Sequence, residues 1–270
     1  MNLRIATYNI HKGVSSLRGL PRIHALKQAI SGLGVDIVFL QEVQGRHDHH
    51  AAQYGEEKHG HQHWPAQAQH EFLAGDTHQA AYGMNAVYQH GHHGNALLSK
   101  LPIIASQNRD VSAHAYEQRG ILHCILQHDT TPVHCYVVHF GLFANGRAKQ
   151  AQALIETVSD TAASGQPVII AGDFNDWRNQ LGASLREQLS VIEVFDERRR
   201  GPRLGSAFRG KARQPPPART FPSFMPWLRL DRIYVRGFHV ASAEVLHGTE
   251  WGKLSDHAPI VATLQLQTPA

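Results

Sequence analysis

Val168-Ile169-Ile170-Ala171-Gly172-Asp173-Phe174-Asn175 is an apolar run that stops on a carboxylate and an amide. A half-exposed strand would alternate apolar with polar residues, so a continuous run of this kind predicts a strand covered on both faces. The same punctuation recurs along the chain. Residues 3–9 read as a strand ending Thr7-Tyr8-Asn9-Ile10-His11, and Ile37-Val38-Phe39-Leu40 runs into Gln41-Glu42. Another run ends Val137-Val138-His139, Leu230 precedes Asp231, and Ser255-Asp256-His257 precedes a last strand over 259–266. Each polar residue alone reads as a cap or turn. Six such endings together, rich in Asp, Asn, Glu and His, predict a site gathered where strands end. Burying so many carboxylates without a cation is prohibitively costly, and hard oxygen ligands suit magnesium or manganese.

Around these endings the periodicity supplies the other elements. A helix is predicted over 21–33, with Ile23, Leu26, Ile30 and Leu33 on one face, and an amphipathic helix over 147–162, with Ala151, Leu154, Ile155 and Val158 inward. Strands are predicted over 82–88, 96–99, 121–127, 133–139, 230–235 and 240–246, and a helix over 181–189. Asp129-Thr130-Thr131-Pro132 makes 121–139 a hairpin. In the last strand Ile260, Ala262, Leu264 and Leu266 share one face. Strands with scattered helices predict an α/β layered protein with mixed sheets, lacking both a repeated βαβ rhythm and a Gly-rich phosphate loop. The expected organisation is one domain over 1–270 with loop insertions near 47–79 and 198–223.

Composition narrows the class. The 270 residues are 42% hydrophobic and 18% charged, ordinary for a globular chain. No apolar run approaches the roughly 18 residues that cross a bilayer, and Met1-Asn2-Leu3-Arg4-Ile5 lacks the apolar core of a signal peptide. Two cysteines, Cys124 and Cys135, make no disulfide scaffold. The expectation is a cytoplasmic globular enzyme. The formal charge is +4, yet eight basic residues and no acidic one lie between Arg198 and Arg219. The remainder holds 18 basic against 22 acidic residues, a charge of −4. That segment, with Pro215-Pro216-Pro217, reads as an extended basic loop that attracts a polyanion, either nucleic acid or an anionic membrane, or else as a solvated insertion. Eleven of the 21 histidines fall between His47 and His93. Their spacing lacks the i, i+4 form of a helical zinc site and no cysteine accompanies them, so a polar surface region is expected.

The order of the motifs carries a further reading. Thr7-Tyr8-Asn9-Ile10-His11, Leu40-Gln41-Glu42-Val43, Gly94-Asn95-Ala96-Leu97-Leu98-Ser99, Val137-Val138-His139-Phe140, Ala171-Gly172-Asp173-Phe174-Asn175, Leu230-Asp231-Arg232-Ile233-Tyr234 and Ser255-Asp256-His257-Ala258-Pro259 follow one another along nearly the whole chain. Each is weak alone. As an ordered set they resemble the endonuclease/exonuclease/phosphatase superfamily, and the chain looks like one of its small bacterial members. The resemblance implies a deoxyribonuclease I-like, four-layered α/β sandwich, with two packed mixed β-sheets flanked by helices and the active site at one rim. It implies Glu42 as main metal ligand, with Asn9 and Asp256 beside it, for Mg²⁺ or Mn²⁺. Asp173 would orient or deprotonate the attacking water, Asn175 would fix that geometry and contact the phosphate, and His257 would donate to a phosphoryl oxygen with Asp231 as its carboxylate partner. His139 resembles the second acid or phosphate donor of deoxyribonuclease I, the sphingomyelinases and the inositol polyphosphate 5-phosphatases, rather than the abasic-site endonucleases. Arg119 stands where many members place a phosphate-contacting arginine.

The expected function is therefore metal-dependent hydrolysis of phosphodiester bonds, by a nuclease acting on DNA or RNA. The alternative is a phosphodiesterase or phosphatase working at an anionic membrane surface, with Phe221, Phe224, Met225 and Trp227 beside the basic loop. An inactive nucleic-acid- or metal-binding module is the reading outside enzymes, and intact Glu42, Asp173, Asn175, Asp256 and His257 speak against it. No obligate protein partner is inferred.

Overall fold

Successive side chains of a strand point to opposite faces, so a strand that is apolar throughout must feed two cores. The computed structural model, which describes residues 2–15, 19–55, 63–114, 116–197 and 218–267, shows this directly. Phe39, Ile169 and Val137 enter a core between two sheets; their neighbours Val38 and Leu40, and Val138 and Ile170, face outward under helices. Each fully buried side chain of this size contributes about 1.5–3 kcal/mol.

One sheet has the spatial order β11–β12–β1–β2–β4–β3, built from Asn2–Asn9 (β1), Ile37–His47 (β2), Gln79–Tyr88 (β3), Gly91–Ser99 (β4), Phe238–Val245 (β11) and Ile260–Leu266 (β12). The other has the order β5–β6–β7–β8–β10–β9, from Ile103–Asp110 (β5), Gly120–His128 (β6), Thr131–His139 (β7), Val168–Asp173 (β8), Ile192–Glu193 (β9) and Asp231–Arg236 (β10). The helix Ile23–Gly32 covers the first sheet, and the helices Ala144–Thr161 and Gly182–Leu189 cover the second. This is the expected four-layered arrangement of two mixed sheets between helices. No helix among the described residues is long and apolar enough to cross a membrane.

Register brings the polar endings to one edge. β1 runs parallel to β2, and β7 to β8, so Asn9, Glu42, His139 and Asp173 sit at or near the same ends. β6, β10 and β12 run antiparallel to their neighbours, so their starts meet that edge: Asp231 pairs with Asp173, and Ile260 with Thr7 just after Asp256 and His257. Buried Asn95 ties the two sheets beneath it, its Nδ2 donating to Gly120 O at 2.9 Å and Val137 O at 3.2 Å.

Among the elements that differ from expectation are three long strands of the two sheets. β2 continues past Leu40 to His47 through two register shifts, because bulges let it bend while staying paired. β4 begins at Gly91 rather than Ala96, inside the histidine-rich stretch. β5 was not expected at all: it is an edge strand of mostly exposed, polar residues, without an apolar period to announce it.

On the outer face of the second sheet His123 and His134 stack at 5.3 Å, with His123 Nε2 3.1 Å from His134 Nδ1. Burial, then the neighbouring imidazole, pushes His123 down to about 4, and burial lowers His134 as well. The unfolded chain then takes up protons near pH 6.5 that the folded chain refuses, so stability should fall as pH drops from about 6.5 toward 4. Thermal melts should show this decline flattened in His123→Phe; an equal slope in the variant would count against the pair as its source.

Candidate active site

The edge is built around Asp173, which is fully buried at the end of β8. Its Oδ1 accepts the Asn175 backbone N–H at 2.9 Å, and its Oδ2 accepts the Asn9 Nδ2 at 3.3 Å. The same oxygen lies 3.6 Å from His139 Nε2 and 3.7 Å from His257 Nε2. His257 Nδ1 sits 2.8 Å from Asp231 Oδ2, a contact that fixes the ring and leaves Nε2 on the Asp173 side. Burial opposes a charge on His257, but Asp231 and Asp173, with Asp256 behind them, outweigh it and raise its pKa. Burial and the nearby Asp231 raise Asp173, against the pull of His257 and the N–H groups it accepts. Burial also pushes His139 well below the usual imidazole range, with the Arg119 cation adding to it. The edge thus holds a charged histidine, a neutral histidine and a carboxylate of raised basicity within a few ångströms. Asp173, Asp231 and His257 cluster tightly enough to resemble a metal site. The 2.8 Å contact of His257 Nδ1 with Asp231 and the 3.7 Å approach of Nε2 to Asp173 also suit these three to holding and moving a proton.

Glu42 offers a different chemistry. It sits at the first bulge of β2 with φ 55°, a left-handed conformation that turns its side chain toward the edge. His11, Lys12 and Asn175 also have positive φ, so four of the seven such non-glycine residues described lie here. Strain of about 1–3 kcal/mol per residue is retained where the surroundings over-determine it, typically at functional sites. Burial works against ionisation of Glu42, yet His139, Lys12, His11 and the Asn9 amide hold it down at about 2. Because burial keeps His139 neutral, the Lys12 cation and the Asn9 amide sustain that state. The carboxylate accepts Asn9 Nδ2 at 3.3 Å and has Lys12 Nζ at 4.0 Å, which among the described residues leaves most of its lone pairs unfilled. Asp256, a quarter exposed, has His11 Nδ1 at 3.3 Å. An ionised, under-filled carboxylate, with the Asp256 carboxylate on the same edge, offers the hard oxygen donors that fit Mg²⁺ or Mn²⁺. Asn9 turns its nitrogen toward Glu42 and Asp173, while its oxygen accepts the His11 backbone N–H at 3.1 Å.

Asn175 Nδ2 donates to Phe140 O at 2.9 Å, joining the loops that follow β7 and β8. Arg147, nearly buried, donates to Gly141 O and Leu142 O and braces the same loop from the helix Ala144–Thr161. Arg119 stands just before β6, opposite the end of β7, with its Nη2 3.6 Å from Glu117 Oε1. Of the basic segment, residues 198–217 lie outside the described residues; Arg219 is exposed.

The model of the Endonuclease/Exonuclease/phosphatase family matches residues 6–257, which contain every one of these side chains. The chain belongs to that family. Members of the family are generally hydrolases of phosphoesters. Over 269 residues the chain is 39% identical to the "Uncharacterized protein YbhP" of Escherichia coli (strain K12), covering 98% of this chain and 97% of YbhP. An endonuclease/exonuclease/phosphatase from Beutenbergia cavernae superposes with a TM-score of 0.73 at 17% identity, over 98% of this chain and 72% of that one. A mannosyl-6-phosphatase of Bacteroides thetaiotaomicron gives a TM-score of 0.68 at 18% identity, over 98% and 100% of the two chains. Such distant likenesses establish the fold and leave the substrate open.

In this family member three residues join the edge that sequence reading did not place there. His11 and Lys12 arrive on the short turn His11–Gly13, held by buried Gln69, whose Nε2 donates to Lys12 O at 2.8 Å. A side chain at Gly13 would strike Gln69, its Cβ meeting Nε2 at 2.4 Å, so the turn and Gln69 fit only with glycine there. His93 is the third. Burial, then the charge of Lys12, push it down to about 4, and its Nδ1 has no partner among the described residues. The signal for Lys12 was present in Asn9-Ile10-His11-Lys12-Gly13; His93 was hidden in the histidine-rich run. Elsewhere in that run His47 stacks on His50 at 3.6 Å, and among the described residues no three of its side chains converge as metal ligands.

Proposed function

We propose that this chain is a Mg²⁺- or Mn²⁺-dependent hydrolase of phosphodiester bonds. The observation that carries the reading is the placing of His257 between Asp231, 2.8 Å from its Nδ1, and Asp173, 3.7 Å from its Nε2, on the same edge as Glu42. Glu42, with Asp256 and Asn9, would hold the metal, which when bound supplies Lewis-acid stabilisation of charge on the phosphoryl oxygens. Asp173 takes the proton of the attacking water, a role suited to a carboxylate whose pKa is raised. The Asn175 N–H and Asn9 amide fix its orientation. His257 donates from Nε2 to a phosphoryl oxygen, and Asp231 keeps that proton on the outer nitrogen. His139 is a second donor on the Asp173 side, and Arg119 meets the phosphate charge at the rim.

Two substrate classes fit this chemistry. Nucleic acid is supported by the basic segment, of which residues 198–217 lie outside the described residues. A phosphodiester at an anionic membrane surface is supported by the apolar side chains beside the site. The test is turnover with Mg²⁺ or Mn²⁺ on single-stranded and duplex DNA, RNA and anionic phospholipid vesicles. Hydrolysis of one class is expected; hydrolysis of none of them, with metal present, would overturn the phosphodiesterase reading.

A further inference from the structure

Ten large apolar side chains are exposed among the described residues, and six of them stand on loops that border the site. Leu142 and Phe143, 57% and 65% exposed, follow the end of β7 that carries His139. Trp177, 37% exposed, comes two residues after Asn175. Phe224, Met225 and Trp227, 60–67% exposed, crown a turn whose Phe221 ring lies 5.1 Å from His257. In that turn Ser223 N–H donates to Asp256 O at 2.8 Å. Scattered apolar residues on a surface are ordinary, but a concentration around one opening marks a contact surface.

Cations stand among these side chains. Exposed Arg178 follows Trp177, and exposed Arg219 leads into the Phe221 turn. Aromatic rings beside arginines suit either stacked bases or a lipid headgroup layer. Leu142 and Met225 separate the two, since an aliphatic side chain has no ring to stack on a base and gains from entering an acyl boundary. We infer that this collar seats the protein on an anionic phospholipid bilayer with the catalytic edge turned to the headgroups. The inference rests on the phosphodiesterase reading and names the surface on which such a substrate is met.

Co-sedimentation of the full chain with vesicles tests it, using phosphatidylcholine alone and phosphatidylcholine with about one third phosphatidylglycerol. Binding is expected to the anionic vesicles only. It should weaken by about tenfold or more in Phe224→Ser/Met225→Ser/Trp227→Ser, with the melting temperature unchanged. Leu142→Ser/Phe143→Ser, on the loop that follows β7, should weaken it independently. No binding to anionic vesicles, or equal binding by both variants, would overturn the inference. So would capture of a single-stranded oligonucleotide that the variants lose while vesicles are ignored, which would make the collar a base-stacking surface. Turnover of the water-soluble bis(p-nitrophenyl) phosphate by the same wild-type preparation tests the chemistry separately, so failure to bind lipid leaves that reading standing.

Discussion

Asp173→Asn is expected to lower kcat by about 10³-fold at neutral pH while leaving the protein at least as stable. The two halves of this result have one cause. Burial and Asp231 raise the pKa of Asp173, so its ionised form is disfavoured in the fold even as its appetite for a proton increases. A carboxylate whose folded pKa lies above its unfolded value costs stability once the pH exceeds the unfolded value, and an amide removes that cost. The amide still accepts the Asn175 N–H through its oxygen, but it gives up the bond from Asn9 Nδ2 and cannot take a proton from water. Lower activity with an unchanged or raised melting temperature separates a missing base from a damaged fold. A fall in melting temperature that tracks the loss of activity would instead give Asp173 a structural role.

The second large effect concerns the pair behind it. His257→Ala should reduce kcat by about 10²–10³-fold, since it removes a donor aimed at the charge that develops on the phosphoryl oxygens. Asp231→Asn should also be strongly impaired, because Asp231 holds the ring at 2.8 Å and favours its charged form. If Asp231 acts only through the imidazole, the double variant should be no worse than His257→Ala alone, within about threefold. Effects that multiply in the double variant would give Asp231 an independent function.

Much of this edge was legible because strands buried on two faces must be apolar until they leave the core. Val168–Asp173 and the run into Gln41-Glu42 therefore announce both a strand and the place where its apolar core gives way to polar side chains. The ordered motifs supplied the layered architecture. What escaped was whatever depends on partners distant in sequence. Glu42 faces the edge through a bulge and a positive φ, and Lys12 is held by Gln69, 57 residues away. β5 shows no apolar period since the side chains on both its faces are largely exposed. Arg232 reads as one more basic residue, yet it is wholly buried, donating to Asn179, Tyr234 and the Asp176 carbonyl; a buried guanidinium persists only when so surrounded. Histidines misled most, because neighbours in sequence separate in space: His93 reaches the catalytic edge, while His47 and His50 stack beyond it.

The most direct measurement is turnover of bis(p-nitrophenyl) phosphate by purified wild-type protein before and after chelation, with Asp173→Asn alongside. The expected result is activity that chelation abolishes, that Mg²⁺ or Mn²⁺ restores, and that the variant lacks. Turnover undiminished by the chelator, or equal in wild type and Asp173→Asn, would contradict a metal-dependent site built on Glu42 and Asp173.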